Sequence, residues 1–89
     1  MNINFSPRFK RAYKKLPSHI QDDFDKQIKV FMRDPNHPSL KTHKLKGRLQ
    51  ECLAFRLRDG NRVLFDFFAF DSVDLLNVGS HDIYNNKGS

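Results

Sequence analysis

The stretch LAFRLRDGNRVLFDFFAFDSVDLLNVG, residues 53–79, decides the fold because it contains the pattern of three consecutive strands. Residues 53–57 alternate between apolar and polar or small side chains, which is the two-residue period of a half-buried strand. Asp59-Gly60 is a strong hairpin turn signal. The run 62–70 is apolar on both faces, as in a central strand, and the apolar series 73–78 predicts a third strand that ends at a glycine.

Two amphipathic helices are predicted upstream of these strands. Ser6 supplies an N-cap and Pro7 a first helical residue, and Pro17 ends the first helix. Its apolar positions have helical spacing: Phe9, Ala12, Tyr13 and Leu16. Ser18 is able to cap the second helix, which the two prolines within 34–38 end. The apolar series of the second helix is Ile20, Phe24, Ile28 and Phe31.

These patterns predict a single α+β domain over residues 1–89. Ile3 and Phe5 alternate with asparagines and add a short first strand. An N-terminal helical hairpin therefore packs on a small antiparallel sheet of about four strands. A chain of 89 residues has room for a small core but little for an enclosed cavity, so functional groups are expected in an open groove.

Several classes of protein are disfavoured. No run approaches the roughly 18 to 20 apolar residues of a membrane span, and the first residues lack an apolar signal sequence, so a cytoplasmic protein with no membrane partner is expected. The single Cys52 cannot form an internal disulfide, and the four histidines lack zinc-site spacing. We expect no metal and no cofactor, and no glycine-rich loop indicates nucleotide chemistry.

Positive charge is concentrated in two segments. The formal net charge is +6, yet residues 1–20 carry five basic groups and no acid, and residues 35–50 carry four and no acid. A polyanion is the natural partner of such a surface: a nucleic acid, or an acidic protein that masks the same patch. The alternative is a solvated basic face with no ligand.

Three further segments carry a resemblance to a known family. They are HPSL and HKLKG at 37–40 and 43–47, FRLRDGNRVLF at 55–65, and LLNVGSHDIY at 75–84. Together with the preceding strand and basic hairpin, they resemble the RelE/ParE superfamily of type II toxins over nearly the whole chain, and the RelE/YafQ-like mRNA interferases most closely. The resemblance implies one RelE-like toxin domain, a cognate antitoxin, and metal-independent cleavage of mRNA on the ribosome, against its 16S rRNA surface.

Such cleavage requires a base for the 2′-OH proton, cations for the charge that develops at phosphorus, and an acid for the leaving 5′-oxygen. The resemblance to YafQ-like toxins implies that His81 is catalytic, and the alternative is a histidine that caps a strand end by bonding backbone or Asp82. Tyr84 is placed by the same resemblance where it stacks on a base or orients the phosphate, and the alternative is a half-buried core residue.

Two arginines flank the predicted hairpin turn. Arg62 opens the central strand and matches the phosphate-binding arginine of the family, with an ion pair to Asp59 or Asp66 as the alternative. Arg56 lies on the opposite strand and shares a face with Arg58, so a solvated role for one of these two is expected.

The basic segment after the helices completes the candidate site. Strand alternation places Lys44 and Lys46 on one face and His43 on the other. By resemblance to RelE, either lysine takes the general-base role, and the alternative is a phosphate contact. We assign Lys46 to the catalytic set with His81, Arg62 and Tyr84. The RNA-binding set is Lys44, His43, Arg56 and Arg48.

Two rival functions fit the same sequence. A ParE-like toxin shares the fold and inhibits DNA gyrase by binding, without nuclease activity. An inactive member or a plain RNA-binding module is the third possibility. The ending GSHDIY at 79–84, together with an arginine at the start of the central strand, distinguishes the nuclease because a gyrase binder does not need it.

Overall fold

A computed structural model describes residues 1–44 and 52–80 of the chain. In chain order the elements are β1 (Asn2–Phe5), α1 (Pro7–Lys14), α2 (Ser18–Arg33), β2 (His43–Lys44), β3 (Leu53–Arg56), β4 (Arg62–Ala69) and β5 (Ser72–Gly79), with 3-10 turns at Pro38–Leu40 and Arg58–Gly60. The predicted α+β class, a helical hairpin followed by a small sheet, is confirmed.

The sheet of the described residues is larger and less regular than the sequence predicted. It has five strands in the order β1-β5-β4-β3-β2, with β4 in the centre as predicted. β1 pairs parallel to β5, whereas the other pairs are antiparallel. The two helices follow β1 in the chain and connect it to the rest of the sheet. β1 itself lies at the edge of the sheet, beside β5, and runs in the same direction as β5. β2 has only two residues and is too short to give a period-two signal.

The two helices begin differently. Ser6 is the N-cap of α1, as predicted: its Oγ accepts a hydrogen bond from the Phe9 amide at 3.0 Å. The same hydroxyl donates to the Leu76 carbonyl in β5 at 3.0 Å, which ties the helix start to the sheet. The prediction that Ser18 caps α2 is wrong, because Pro17 is the N-cap and Ser18 is already the first helical residue. The Pro17 carbonyl begins the helical bonding instead.

The core lies between the hairpin and one face of the sheet. Phe31 of α2 is fully buried, and its ring contacts those of Phe55 and Phe65 at centroid distances of 5.2 and 4.9 Å. The other core residues are Phe9, Ile20, Phe24, Leu40, Leu57, Val63, Val73, Leu75 and Val78. Both helices contribute to this one cluster, so they pack on a single face of the sheet. We call the opposite face, which these two helices do not contact, the open face; its middle row of Ala54, Leu64 and Asn77 is nevertheless buried.

A polar contact closes the outer side of the hairpin. The Tyr13 hydroxyl donates a hydrogen bond to Asp25 Oδ1 at 3.0 Å, and the side-chain amide of Gln21 donates one to the Tyr13 backbone carbonyl at 2.8 Å. Burial and the hydrogen bond to Asp25 raise the pKa of Tyr13, so its hydroxyl stays protonated at neutral pH.

In residues 1–44 and 52–80, no helix has both the length and the apolar character required to cross a membrane.

Phe31→Ala is expected to lower the free energy of unfolding by about 3–5 kcal/mol, because it removes the ring that packs on β3 and β4 and leaves a cavity. Urea denaturation measures the change. Phe70→Ala is the matched control, since the Phe70 ring is fully exposed and its removal should change stability by no more than about 0.5 kcal/mol. Equal losses in the two variants would contradict the assigned core.

Candidate nucleic-acid interface

Side chains alternate between the two faces of a strand, and this alternation places two arginines side by side on the open face. Phe55 and Val63 face the helices, so their chain neighbours Arg56 and Arg62 leave the sheet on the other side. Arg56 and Arg62 are register partners in the antiparallel β3–β4 pair, which brings their Cβ atoms to about 4.5–5.5 Å. Like charges directly opposite each other destabilise a sheet, and an anion bound between them relieves that repulsion.

On its other side, Arg62 has a glycine as its register partner. Arg62 is half-buried and pairs with Gly79 at the end of β5, a residue that has no side chain of its own. Arg56 is exposed on the outer side. We call this combination of two paired arginines beside a glycine backbone the arginine notch; its positive charge suits a phosphate group.

The turn between the two arginines is held to helix α2. The Arg58 amide donates to Asp23 Oδ2 at 2.9 Å, and His19 Nε2 lies 2.9 Å from Asp59 Oδ2. Within the turn, the Leu57 amide donates to the Asn61 carbonyl at 2.7 Å. Asp59 and Gly60 have φ of 56° and 76°, the left-handed region that this turn sequence tolerates. The turn that joins the two arginine strands is therefore closed by its own hydrogen bond and held to helix α2 by two further contacts.

His43 lies on the same face two strands away. It pairs with Ala54, whose partner in β4 is Leu64, so His43 sits about 10 Å across the sheet from β4. Its Nδ1 is 3.3 Å from the Lys41 carbonyl. A carbonyl oxygen only accepts, so the contact places the proton on Nδ1 and leaves Nε2 of the neutral ring as an acceptor. Leu40, fully buried, anchors the chain just before this segment.

The open face carries positive charge at the end with the arginines and negative charge at the other end. Asp66 and Asp74 are register partners further along β4 and β5, and Asn4 donates to Asp74 Oδ1 at 2.8 Å. Between the acidic and the arginine rows lies a buried row of Ala54, Leu64 and Asn77. A polyanion is attracted to the arginine end and repelled from the carboxylate end, so on this face the charge pattern favours binding at the arginines.

The predicted site residues divide into three groups. Arg56, Arg62 and His43 share the open face. Lys44 pairs with Leu53, a residue of the helix side, so its side chain leaves the sheet on the opposite face from His43. The remaining four lie outside the described residues, in the segments 45–51 and 81–89. They are Lys46, Arg48, His81 and Tyr84.

Two supporting residues were not identified from the sequence. His19 reads as an ordinary surface polar residue, and Asp23 reads as a favourable acid near a helix start. Their partners lie 35 or more positions further along the chain, so no local pattern indicates the contact. Asp59 pairs with His19, a partner different from the arginine considered in the sequence. Within the described ranges, no three His, Cys, Asp or Glu side chains are grouped to hold a metal ion.

Solved structures share the fold described above. Residues 1–44 and 52–80 have the fold of the RelE/ParE toxin superfamily, so the resemblance drawn from the sequence is confirmed at the level of the fold. No family model matches the sequence, and no curated protein matches it.

Particular solved structures superpose well at low sequence identity. YafQ from E. coli strain BL21(DE3) gives a TM-score of 0.77 at 10% identity, covering 93% of this chain and 96% of that chain. A YoeB/ParE toxin from Agrobacterium tumefaciens gives 0.75 at 14% identity, covering 91% and 99%. The intact E. coli RelBE toxin-antitoxin complex gives 0.69 at 22% identity, covering 89% and 94%. Identities this low establish the shared fold alone.

Arg56→Gln is expected to raise the free energy of unfolding at low salt by about 0.2–1 kcal/mol, because it removes the like-charge pair with Arg62. Inorganic phosphate should stabilise the wild type more than the variant, which lacks one side of the notch. Thermal unfolding with and without phosphate measures both effects. Arg58→Gln, which removes the same charge at the turn, is the control, and identical behaviour of the two variants would show that only net charge matters.

Asp23→Ala should free the tip of the hairpin from helix α2 because the Arg58 amide loses its acceptor. We expect hydrogen exchange at that amide to accelerate about tenfold, equivalent to about 1.4 kcal/mol of local opening. NMR-detected exchange gives the rate. Asp22→Ala removes an exposed neighbouring carboxylate and serves as the control, and unchanged exchange in Asp23→Ala would mean that this hydrogen bond does not hold the turn.

Proposed function

We propose that this chain is the toxin of a type II toxin–antitoxin system and a metal-independent endoribonuclease that cleaves mRNA on the ribosome. The observation that carries the proposal is the pair Arg56 and Arg62, held directly opposite each other on the open face beside Gly79. Two cations at this spacing suit the extra negative charge of a phosphate under nucleophilic attack. The shared fold of YafQ and RelE-type toxins supports the same conclusion.

The reaction is an attack of the 2′-oxygen on the adjacent phosphorus. A base removes the 2′-OH proton, the new P–O bond forms, and the bond to the 5′-oxygen breaks as an acid supplies it with a proton. In this proposal Arg62 and Arg56 neutralise the charge at phosphorus. His81 and Lys46 exchange the protons, and Tyr84 orients or stacks on the nucleotide.

The neighbouring basic residues hold the rest of the strand. His43 is too far across the sheet to reach the same phosphate as Arg62, so in this proposal it contacts an adjacent nucleotide, where Nε2 accepts a hydrogen bond from a sugar hydroxyl or a base. Arg48 adds a phosphate contact, whereas Lys44 lies on the opposite face of the sheet and adds none. Phosphate contacts of this kind carry most of the affinity and make it salt-dependent.

An antitoxin is the second proposed partner. The RelBE structure and a YoeB-YefM structure from Staphylococcus aureus are toxin–antitoxin complexes with this fold. A net charge of +6 favours an acidic or amphipathic chain as the masking partner. The same cations then serve two states, bound to RNA phosphates when the toxin is released and to carboxylates when it is held.

Arg62→Gln is expected to reduce mRNA cleavage about 100-fold or more, because it removes a group that stabilises the transition-state charge. Primer extension on mRNA with translating ribosomes measures the cuts for wild type, Arg62→Gln and His81→Ala. Lys26→Gln is the matched control, since Lys26 is exposed on helix α2, outside the two basic segments, and its loss changes the net charge equally. We expect its cleavage pattern to match the wild type.

Binding to a short single-stranded RNA separates this proposal from its rivals. The slope of log affinity against log salt should fall by about 0.7 for each phosphate contact removed, so by that amount in Arg56→Gln and not at all in Lys26→Gln. Absence of cuts together with inhibition of DNA gyrase would replace the nuclease with a ParE-like inhibitor. RNA binding without cuts or growth arrest would leave an RNA-binding module.

A further inference from the structure

One polar side chain is buried on the open face, next to the arginine notch. Asn77 is 7% exposed, and it is the only polar or charged residue that is buried within residues 1–44 and 52–80. It is the register partner of Leu64 in the β4–β5 pair. Its chain neighbour Val78 belongs to the core, so the Asn77 side chain leaves the sheet on the open face. An amide in this position needs hydrogen-bond partners, because burial separates it from water.

The oxygen of this amide has a partner within the chain, and the nitrogen does not use one. The Val78 backbone N–H donates a hydrogen bond to Asn77 Oδ1 at 2.9 Å. A backbone N–H only donates, so this contact identifies the oxygen branch of the side chain and leaves the NH2 group on the other branch. No residue in the two described ranges accepts a hydrogen bond from that NH2 group. Asn77 therefore offers N–H donors on the open face that none of these residues uses.

Asn77 is a diagonal neighbour of Arg62. Arg62 pairs with Gly79, and Asn77 lies two residues before Gly79, on the same strand and the same face. Diagonal neighbours in an antiparallel pair have Cα atoms about 7–8 Å apart, a distance that long side chains span. Gly79 has no side chain that would compete for the same space. A group bound by Arg62 is therefore within reach of the Asn77 amide.

A neutral oxygen beside a phosphate is the acceptor that suits this donor. The phosphate oxygens are anionic and form their stronger hydrogen bonds with the guanidinium groups of Arg56 and Arg62. In RNA, the ribose 2′-hydroxyl is on the carbon next to the one that carries the phosphate ester, so its oxygen lies beside any phosphate that the arginines hold. DNA has no oxygen at this position.

We propose that the Asn77 NH2 group binds the ribose 2′-oxygen next to the phosphate held by Arg56 and Arg62, so that the site selects RNA over DNA. The selection arises because a strand without the 2′-oxygen leaves the buried donor unpaired. That RNA is the substrate rests on the proposed function, whereas the unused donor beside Arg62 does not depend on any reaction. During cleavage the same hydrogen bond strengthens, because the 2′-oxygen gives its proton to the base and gains negative charge.

The first probes are two short single strands of one sequence, one of RNA and the other of DNA with deoxyuridine in place of thymidine. They differ only at the 2′ position. Fluorescence anisotropy with the full chain gives both dissociation constants at one salt concentration, and electrophoresis of the recovered RNA checks that the strand is intact. We expect the wild type to bind the RNA about tenfold or more tightly than the DNA. Equal affinities would overturn the proposal.

A third strand, with 2′-fluoro sugars, separates contact with the oxygen from recognition of the shape of the strand. The 2′-fluoro strand keeps an RNA-like sugar conformation but has no 2′-oxygen. It should therefore bind as weakly as the DNA. This comparison uses the wild-type protein and does not depend on the folding of any variant.

Asn77→Ala and Arg56→Gln are a matched pair of variants. Asn77→Ala removes the donor and should bring the ratio of RNA to DNA affinity to about one, whereas Arg56→Gln should weaken both strands and leave that ratio unchanged. A purely structural role of Asn77 at the Val78 amide would lower both affinities together and would not change their ratio. Thermal unfolding shows that each variant is folded.

Two further results would overturn the contact with Asn77. These are a 2′-fluoro strand that binds as tightly as RNA, or a folded Asn77→Ala variant that keeps the wild-type ratio. The cleavage measurement described above tests the nuclease separately. An RNA preference that depends on Asn77 without any cleavage would confirm the 2′-oxygen contact and reject the nuclease. Cleavage by the wild type, with an unchanged ratio in Asn77→Ala, would reject the contact alone.

Discussion

The contact of Phe31 with Phe55 and Phe65 determines which face of the sheet is buried, and the placement of every candidate site residue follows from it. In a strand, side chains alternate between faces, so a one-residue slip of β3 or β4 would bring the arginines into the core and expose the phenylalanines. Burying two guanidinium groups in an apolar layer is far more costly than burying two aromatic rings. The aromatic core thus specifies the charged face as well as itself.

The close approach of Arg56 and Arg62 depends on the turn that joins their strands. Each is the terminal residue of its strand, and only residues 57–61 separate them. The left-handed conformation at Asp59 and Gly60, together with the contacts to His19 and Asp23, keeps the turn tight. The positive charges of Arg56 and Arg62 repel each other. The hydrogen bonds of the hairpin and the contacts of its turn with α2 oppose that repulsion. A site prepared in this way does not have to reorganise when a phosphate arrives.

Features that depend on neighbouring residues were predicted well from the sequence. The Ser6 cap, the hairpin turn at Asp59-Gly60 and the central position of β4 each have a short-range chemical signature. The position of Arg56 opposite Arg62 follows from the turn, so the sequence also indicated this part of the site.

Features that depend on distant partners were not predictable in this way. The parallel pairing of β1 with β5 joins residues about 70 positions apart, and the hydrogen bond between Asn4 and Asp74 belongs to the same long-range contact. The sequence did predict strand alternation at His43 and Lys44, but the strand that pairs with them, β3, could be identified only from the structure. The contacts between helix α2 and the turn likewise arise only when separate segments meet.

The short strand β2 divides the basic segment between the two faces of the sheet. His43 and Lys44 are neighbours in the chain, so their side chains leave the strand on opposite faces, as the alternation in the sequence indicated. Which face each of them takes depends on the pairing with β3, which puts His43 beside Ala54 and Lys44 beside Leu53. A polyanion bound at Arg56 and Arg62 therefore meets His43 on its own face and does not meet Lys44. A count of basic residues along the chain overstates the charge of this surface, because it adds side chains that the sheet separates.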